Sequence, residues 1–433
     1  MDDEAVSPST PQPPSPARPA PSYAAVPSEA FAAVPDCILV GLDDVARVVG
    51  YLRSWSAHPD EEERDTDLGL AKVTLDARAA AAHIRALPST AGPWPAAAVR
   101  RAQERPTAGD LDLVLCALRM YADHLGEPAP TLGKNRSVDL VRVTQGIQFG
   151  GNGDVDVVRD FFGAEPAWPF APYPRPVAVG LVDAPLIDHP YTTPSLVDGS
   201  VSPARPGPTQ GHQYHGTFVA GLILRRAPHV QLRVQPIPAL ADGAQSWDVA
   251  RAMVALSARK VPVINLSLCC LTEDDEPPLV FEQALKAIGD RSVVVAAAGN
   301  HAKDTNQNPY ACRPAWPAAL PAVVAVGSID QYGKLADYSP AMDWVDVFAV
   351  GDGVVSSLFV EGRDGRSWPR YGRASGTSFA AADVTGEIAN LILGGKTPAE
   401  ARELVLGAEP RLRLAAATAR AVPTLLPRTR WPQ

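Results

Sequence analysis

No stretch of this 433-residue chain is apolar without interruption over the roughly eighteen residues that a membrane-spanning helix needs, so no membrane association is expected. A basic surplus is missing too. The net charge of −9 argues against a general nucleic-acid binder, which needs clustered Lys and Arg to meet phosphates, and the acidity reads as a source of solubility. The opening MDDEAVSPSTPQPPSPARPAP has neither the basic start nor the apolar run of a secretory signal, and a cytoplasmic address is the expectation. Cysteine is scarce. Cys37, Cys116, Cys269, Cys270 and Cys312 show no metal-ligand or disulfide-framework spacing, and the adjacent Cys269 and Cys270 are poorly placed to bridge each other. Reduced thiols in a reducing compartment follow. His58, His83 and His124 are scattered, and neither a metal nor any cofactor is called for.

What is present is enough apolar residue, 46%, for a sizeable core, in a chain long enough for two domains. Residues 1–35 are rich in Pro, Ser and Ala and read as a disordered tail. Beyond Cys37, CILVG predicts a strand and LDDVARVVGYLRSW a helix, followed by an acidic loop from Asp60 to Asp67. LAKVTL predicts a strand, DARAAAAHIRAL a helix, and DLDLVLCALRMYADHLG the clearest amphipathic helix of this half. VDLVRVTQGIQF reads as a strand and DVDVVRDFF as a short helix. Residues 36–165 are therefore a small α/β or mainly helical module that carries no chemical motif. Prolines at 166, 169, 172, 174 and 176 mark residues 166–176 as a linker.

From Val177 to about residue 415 the texture changes. VAVGLVD, VQLRVQPI, VPVINLSL, SVVVAAAGN, AVVAVGSI and VDVFAVG are short, continuous apolar runs, and the helical segments WDVARAMVALSAR and FEQALKAIGD fall between them. Such runs describe buried parallel strands separated by helices. Residues 416–433 read as a C-terminal tail. Active sites of open parallel sheets form at the carboxyl ends of strands, and three segments put polar residues there. In VAVGLVDAPLIDHP the apolar run ends at Asp183, with Asp188 a competing carboxylate in the turn beyond. In GHQYHGTFVAGLIL, His215 opens a helix whose Gly216, Ala220 and Gly221 permit close packing, while His212 precedes it. In GRASGTSFAAADVTG, Ser378 stands at the start of an Ala-rich helix, where backbone N–H groups can meet a developing negative charge. Each residue alone also fits a cap or turn role.

Taken in order, Asp183, His215 and Ser378 and the words around them resemble the subtilisin-like serine peptidase family. HGTFVAG is similar to its His motif, SGTSFAA to its Ser motif, and VVVAAAGN to the strand that ends in its oxyanion-hole asparagine, here Asn300. VPVINLSL resembles the strand that flanks the substrate, with Ser267, Leu268 and Cys269. Ala298 and Gly299 are read with them as substrate-binding residues, WPAALPAVVAVGS resembles the wall of the primary specificity pocket and the strand behind it, and PAEARELVLG the closing helix. The resemblance covers roughly residues 177–410. It implies a three-layer fold with a mainly parallel twisted sheet between helices, and a serine endopeptidase using a catalytic triad with an Asn oxyanion hole.

The chain departs from the family pattern in places. Asp183-Ala184-Pro185 stands where a hydroxyl residue and Gly are usual, Ala382 where Pro is usual, and Cys269-Cys270 where a Gly pair leaves room for the peptide. The two cysteines read as small hydrophobes packed inward. The short passage GLILRRAPHVQLRV after the His helix offers Arg225 and Arg226 where secreted relatives wrap a calcium ion. The uncharged wall Ala315–Ala318, with Arg313 the basic exception, implies an apolar residue before the cut. The module's position implies a propeptide-like brake cut off within about Gly163–Pro176, or a permanent domain that binds a regulatory partner. Three functions are open: an active cytoplasmic endopeptidase on protein or peptide substrates, a processing peptidase dedicated to one protein, and a silent pseudopeptidase that binds peptides.

Overall fold

The computed structural model describes residues 33–105, 109–140, 156–157, 176–198, 201–202, 214–237, 244–302, 311, 313–361, 367–408, 411–413 and 421–425. The predicted linker, apart from Pro176, lies outside them, as do residues 1–32 of the predicted tail, His212 and Cys312.

The first half folds as β1 (Ala33–Gly41), α1 (Val45–Ser54), β2 (Asp60–Asp65), β3 (Leu70–Thr74), α2 (Ala77–Ala86), α3 (Trp94–Gln103), α4 (Asp110–His124) and β4 (Leu132–Leu140). The strands pair antiparallel in the order β4-β1-β3-β2, which is the split β-α-β arrangement with three helices where the second is expected. The module is thus α/β. One sheet face and the four helices enclose an apolar core around Ile38, Leu52, Trp55, Ala81, Trp94 and Leu118. Local signals start the helices: Asp76 accepts the N–H of Ala79 at 2.7 Å, and Asp112 accepts that of Gly109 at 3.3 Å.

The structure corrects the sequence reading in several places. The acidic run from Asp60 is a strand and not a loop, because its charges are answered across the pair: Lys72 on β3 lies 2.9 Å from Glu62 and 3.2 Å from Glu63. It is an edge strand, where charge is tolerated. Strand β1 begins inside the segment read as a disordered tail. Asp156 and Val157, read as part of a helix, form the short strand β5 (Asp156–Val157). The helix Trp94–Gln103 was not anticipated.

The second half continues with β6 (Ala178–Asp183), β7 (Leu186–Ile187), β8 (Leu196–Asp198), β9 (Val201–Ser202), α5 (His215–Arg226), β10 (Gln231–Pro236), β11 (Ala244–Gln245), α6 (Ser246–Ala258), β12 (Val263–Leu266) and β13 (Leu268–Cys269). Then come α7 (Leu279–Ile288), β14 (Val293–Ala297), β15 (Val323–Ile329), β16 (Val347–Val350), β17 (Val354–Glu361), β18 (Ser367–Ala374), α8 (Thr377–Leu393), α9 (Pro398–Leu406), β19 (Arg411–Arg413) and β20 (Ala421–Leu425). Among the described residues the main sheet runs β19-β20-β16-β15-β14-β12-β6-β10-β8, parallel from β8 to β20. Strand β20 extends it into the segment read as a tail. One apolar core gathers α5 and α8 with one face of the sheet, and a second gathers α6 and α7 with the other. This is the three-layer, mainly parallel architecture that the sequence predicts.

The two halves share strands and side chains. Leu39, Leu70 and Val138 of the module join Trp247, Phe281 and Leu268 in the second core. Strand β4 pairs antiparallel with both β11 and β13. Gly133 is needed where β4 crosses α7, since a Cβ there would lie 2.9 Å from Leu279 Cβ. Asn135, fully buried, accepts from Ser246 Oγ at 3.1 Å and from the N–H of Trp247 at 3.2 Å, capping α6 from outside its own half. Lys134 and Arg136 both meet the buried carboxylate of Glu273, and Arg105 reaches Asp274 at 2.6 Å.

Burial alone would raise the pKa of Glu273, but the hydrogen bond and charge of Arg136, joined by Lys134, hold it down at about 2 against an ordinary 4.5. A carboxyl depressed by folding stabilises the fold above its unfolded pKa and loses that contribution as pH falls through the folded value. Unfolding free energy should therefore drop between about pH 4.5 and 2. Glu273→Gln should be less stable near neutrality, with the gap to wild type closing over that window; denaturant melts at a series of pH values measure it.

Candidate active site

Strand β6 lies inside the main sheet and delivers Asp183 at its carboxyl end with no solvent exposure. The carboxylate accepts the N–H of Ala184 at 2.7 Å. The Ala-Pro departure thus leaves Asp183 a backbone donor. His215 is the first residue of α5, and its Nδ1 lies 2.8 Å from Asp183 Oδ1 and 3.0 Å from Oδ2. Its Nε2 is buried and makes no hydrogen bond among the described residues. The start of α5 is pressed onto the turn after β6: a Cβ on Gly216 would come 2.3 Å from the Ala184 carbonyl oxygen. Thr217 fastens the same corner by accepting the Ile187 N–H at 2.9 Å.

Ser378 is the second residue of α8 and is nearly enclosed. Its hydroxyl donates to the Ser267 carbonyl at 3.3 Å, and Ser267 Oγ donates back to the Ser378 carbonyl at 2.9 Å. Phe379 beside it packs on the His215 ring, centroids 5.8 Å apart, and on Phe218 at 4.6 Å. Asn300 follows β14. Its Oδ1 accepts the N–H of Thr377 at 2.9 Å and the hydroxyl of Thr377 at 3.1 Å, which fixes the orientation of the amide. The amide nitrogen then lies beside Gly376, 3.2 Å from where a Cβ would stand. The N–H groups of the first turn of α8 have no intrahelical acceptor. The amide of Asn300 and the N-terminus of the Ser378 helix therefore converge on one place, and the imidazole of α5 packs on Phe379 next to it.

The predicted substrate-binding residues fall around this centre. Ser267 stands between β12 and β13, Leu268 is buried, and Cys269 is half-buried on β13. Ala298 and Gly299 continue from β14, and Gly299 takes a left-handed φ of 93° and donates its N–H to Thr377 Oγ1 at 3.1 Å. Of the two cysteines, Cys270 is buried in the apolar core and its backbone bridges Trp316. Asp188 lies apart, accepting from Thr193 Oγ1 at 2.9 Å. Arg313 spends its guanidinium on the Thr272 and Glu273 carbonyls, at 3.0 and 3.3 Å. His301 donates its Nε2–H to the Arg313 carbonyl at 2.9 Å, and burial first of all lowers its pKa. Among the described residues no group of three His, Cys, Asp or Glu side chains is placed to hold a metal.

Sequence reasoning missed the supports. A fully buried thread runs from Thr385 Oγ1 to Asn265 Oδ1 at 2.9 Å and from Asn265 Nδ2 to Ser267 Oγ at 2.9 Å, and so to the backbone of Ser378. Its signal was Asn265 and Ser267, two polar residues at alternate positions in the apolar run VPVINLSL. The hairpin of β17 and β18 was also missed. Ser356 and Ser357 on it donate to the Phe218 and Thr217 carbonyls at 2.7 and 2.8 Å and back the His215 helix.

A family model described as the subtilase family matches residues 175–419. A thermophilic serine proteinase of Bacillus sp. (strain AK1) is 34% identical over 203 residues, 44% of this chain and 45% of the relative. Subtilisin E of Bacillus subtilis (strain 168) is 30% identical over 203 residues, 45% of this chain and 49% of the relative. The chain thus spans about half the length of the curated relatives it matches. In fold it is similar to the crystal structure of fervidolysin from Fervidobacterium pennivorans, a keratinolytic enzyme related to subtilisin: TM-score 0.58, 15% identity, 91% of this chain and 60% of that one.

If the amide of Asn300 meets a developing oxyanion, Asn300→Ala should lower kcat about 10²–10³-fold with little change in KM, read from initial rates on a fluorogenic peptide.

Proposed function

This chain belongs to the subtilase family, and on that premise we propose that it is a serine endopeptidase in which Ser378 attacks the scissile carbonyl, His215 takes its proton and Asp183 holds the imidazole. The observation that carries the reading is the buried Asp183–His215 pair, whose imidazole packs on Phe379, the residue next to a serine at a helix N-terminus. Asp183 keeps the Nδ1 proton of His215 in place and stabilises the imidazolium, leaving Nε2 as the base. The Ser378 hydroxyl turns from the Ser267 carbonyl toward that nitrogen as the peptide enters. The tetrahedral oxyanion is met by the Asn300 amide and the Ser378 N–H. The proton then passes from Nε2 to the leaving amine, and water repeats the cycle to release the acid. Substrates are proteins or peptides in extended form that pair along β13. An apolar residue before the cut is favoured, since Arg313 is engaged with backbone carbonyls and the wall from Ala315 to Trp316 is uncharged.

The module reads as a restraint on this site. Strand β4 already pairs with β13, Leu140 opposite Leu268 and Asp139 opposite Cys269, which is where a substrate strand would lie. It runs toward Ser378 and stops, among the described residues, one pairing step short of Ser267. A reducing, cytoplasmic setting is supported by the buried free thiols of Cys37 and Cys116; among the described residues no helix is long and apolar enough to cross a membrane.

A fluorophosphonate probe should label the protein once, and Ser378→Ala should abolish the label. Labelling of that variant equal to wild type would sink the triad, and an unlabelled wild type would favour the silent peptide-binding reading. If the module is a removable brake, mass spectrometry of purified protein should find a cut within the first few residues after Leu140, and not in the Pro-rich linker, and Ser378→Ala should stay whole. A wild-type protein that remains full length while fully active on peptides would make the module a permanent partner-binding domain.

A further inference from the structure

The loop after β13 carries Glu273, Asp274, Asp275 and Glu276, and one of these is treated differently from the rest. The Glu273 side chain has no solvent exposure, and both its oxygens are taken, Oε1 by Lys134 Nζ and Oε2 by Arg136 Nη1. The position of Glu273 is set by the peptidase half. Thr272 Oγ1 donates to the Glu276 carbonyl at 2.9 Å and accepts the indole N–H of Trp316 at 3.0 Å, and Arg313 holds the Thr272 and Glu273 carbonyls. The carboxylate therefore has a fixed address at the upstream end of the groove. The cations come to it on β4, the strand that lies in that groove.

The spacing is what makes this a reading of substrates. With the residue opposite Ser267 taken as the one before the cut, the register puts Leu140 second, Val138 fourth, Arg136 sixth and Lys134 eighth upstream of it. These alternate residues share one face of an extended strand. Val138 is fully buried in the core with Leu268, Trp247 and Trp316. The path beyond it is built as well: Val138 and Ser137 pair with Ala244 and Gln245, and the Arg136 N–H donates to Ser246 Oγ at 2.9 Å. Any extended segment that replaces β4 by the same backbone pairing carries its sixth upstream side chain to Glu273.

The geometry points to a subsite for basic side chains at Glu273, which takes protein segments bearing Arg or Lys six residues before the cut and a second basic residue at eight. The module occupies it in cis as an internal copy of such a segment. An acidic or neutral residue at six would leave Oε2 of a buried carboxylate unpaired, and that penalty gives the discrimination. The direction of cutting rests on the protease reading, but the binding does not.

The test uses the full chain as Ser378→Ala with Lys134→Gln and Arg136→Gln, which weaken the internal occupant. Fluorescence anisotropy compares a dye-labelled peptide KNRSVDL with its twin QNQSVDL. The basic peptide should bind at least about 10-fold tighter, the difference should shrink in 0.5 M salt, and adding Glu273→Gln should bring the ratio to about one. Equal affinity for the two peptides, or no binding of either, overturns the subsite. Should the neutralised protein lose its cooperative melt, the wild-type chain is given the fluorogenic substrates KNRSVDLV and QNQSVDLV, with the reporter after the final Val so that Arg or Gln stands six residues before the cut, and equal kcat/KM overturns it likewise. Probe labelling of wild-type Ser378 judges the protease reading separately: binding preference without labelling keeps the subsite and removes the enzyme, and labelling without preference does the reverse.

Discussion

A carboxyl group with no access to water needs hydrogen bonds inside the protein to replace its hydration, and the subtilase half is arranged around one such group, Asp183. The backbone N–H of Ala184 and the imidazole of His215 supply the replacement. To bring the imidazole there, α5 must start against the turn after β6, and the contact is so close that position 216 admits only glycine. Once α5 is placed, α8 packs beside it through Phe218 and Phe379, and Ser378 arrives at the end of its helix beside Asn300. The hydroxyls of Ser356 and Ser357 press α5 from the far side. One electrostatic requirement therefore sets the approach of two helices and a hairpin.

The contact between the halves follows a different logic. It is rich in polar groups: buried Asn135 on the start of α6, half-buried Glu63 on the indole N–H of Trp247 at 3.1 Å, and the cations of β4 on buried Glu273. Buried ion pairs add less stability than apolar packing of the same volume, because each charge must first give up water. They impose register instead, since a shift of one residue along β4 would turn Arg136 away from Glu273 and bury both unpaired. Apolar contacts such as Val138 with Leu268 supply adhesion, and the charges decide where the strand stops.

Much of the peptidase half was legible because its strands are buried on both faces. A strand such as Val293–Ala297 must be apolar throughout, so each run announces itself and any polar residue at its end stands out. Asp183, Asn265 and Asn300 are such residues, although only the first and last were read as functional. The module was legible in three of its four helices and two of its strands, α3 being the helix that was missed. Strand β2 was not, because an edge strand faces water and its carboxylates look like a loop until Lys72 is placed opposite. Glu273 looked like one acid among four for the same reason: its partners lie about 140 residues upstream, at Lys134 and Arg136.

The amino-acid sequence by itself determined the order of most core strands and helices from β6 to α9, though not the β17–β18 hairpin, together with the residue types at their ends and the family likeness they carry, because these are local: period, run length and the word around each polar residue. Only the tertiary structure decided that Thr377 orients Asn300, that Thr385 and Asn265 brace Ser378, that β4 pairs along β13 and that Glu273 is buried beneath two cations. Those are contacts between segments far apart in the chain. A side chain's neighbours across such distances are set by how sheets stack and helices cross, and no local pattern of the chain records that.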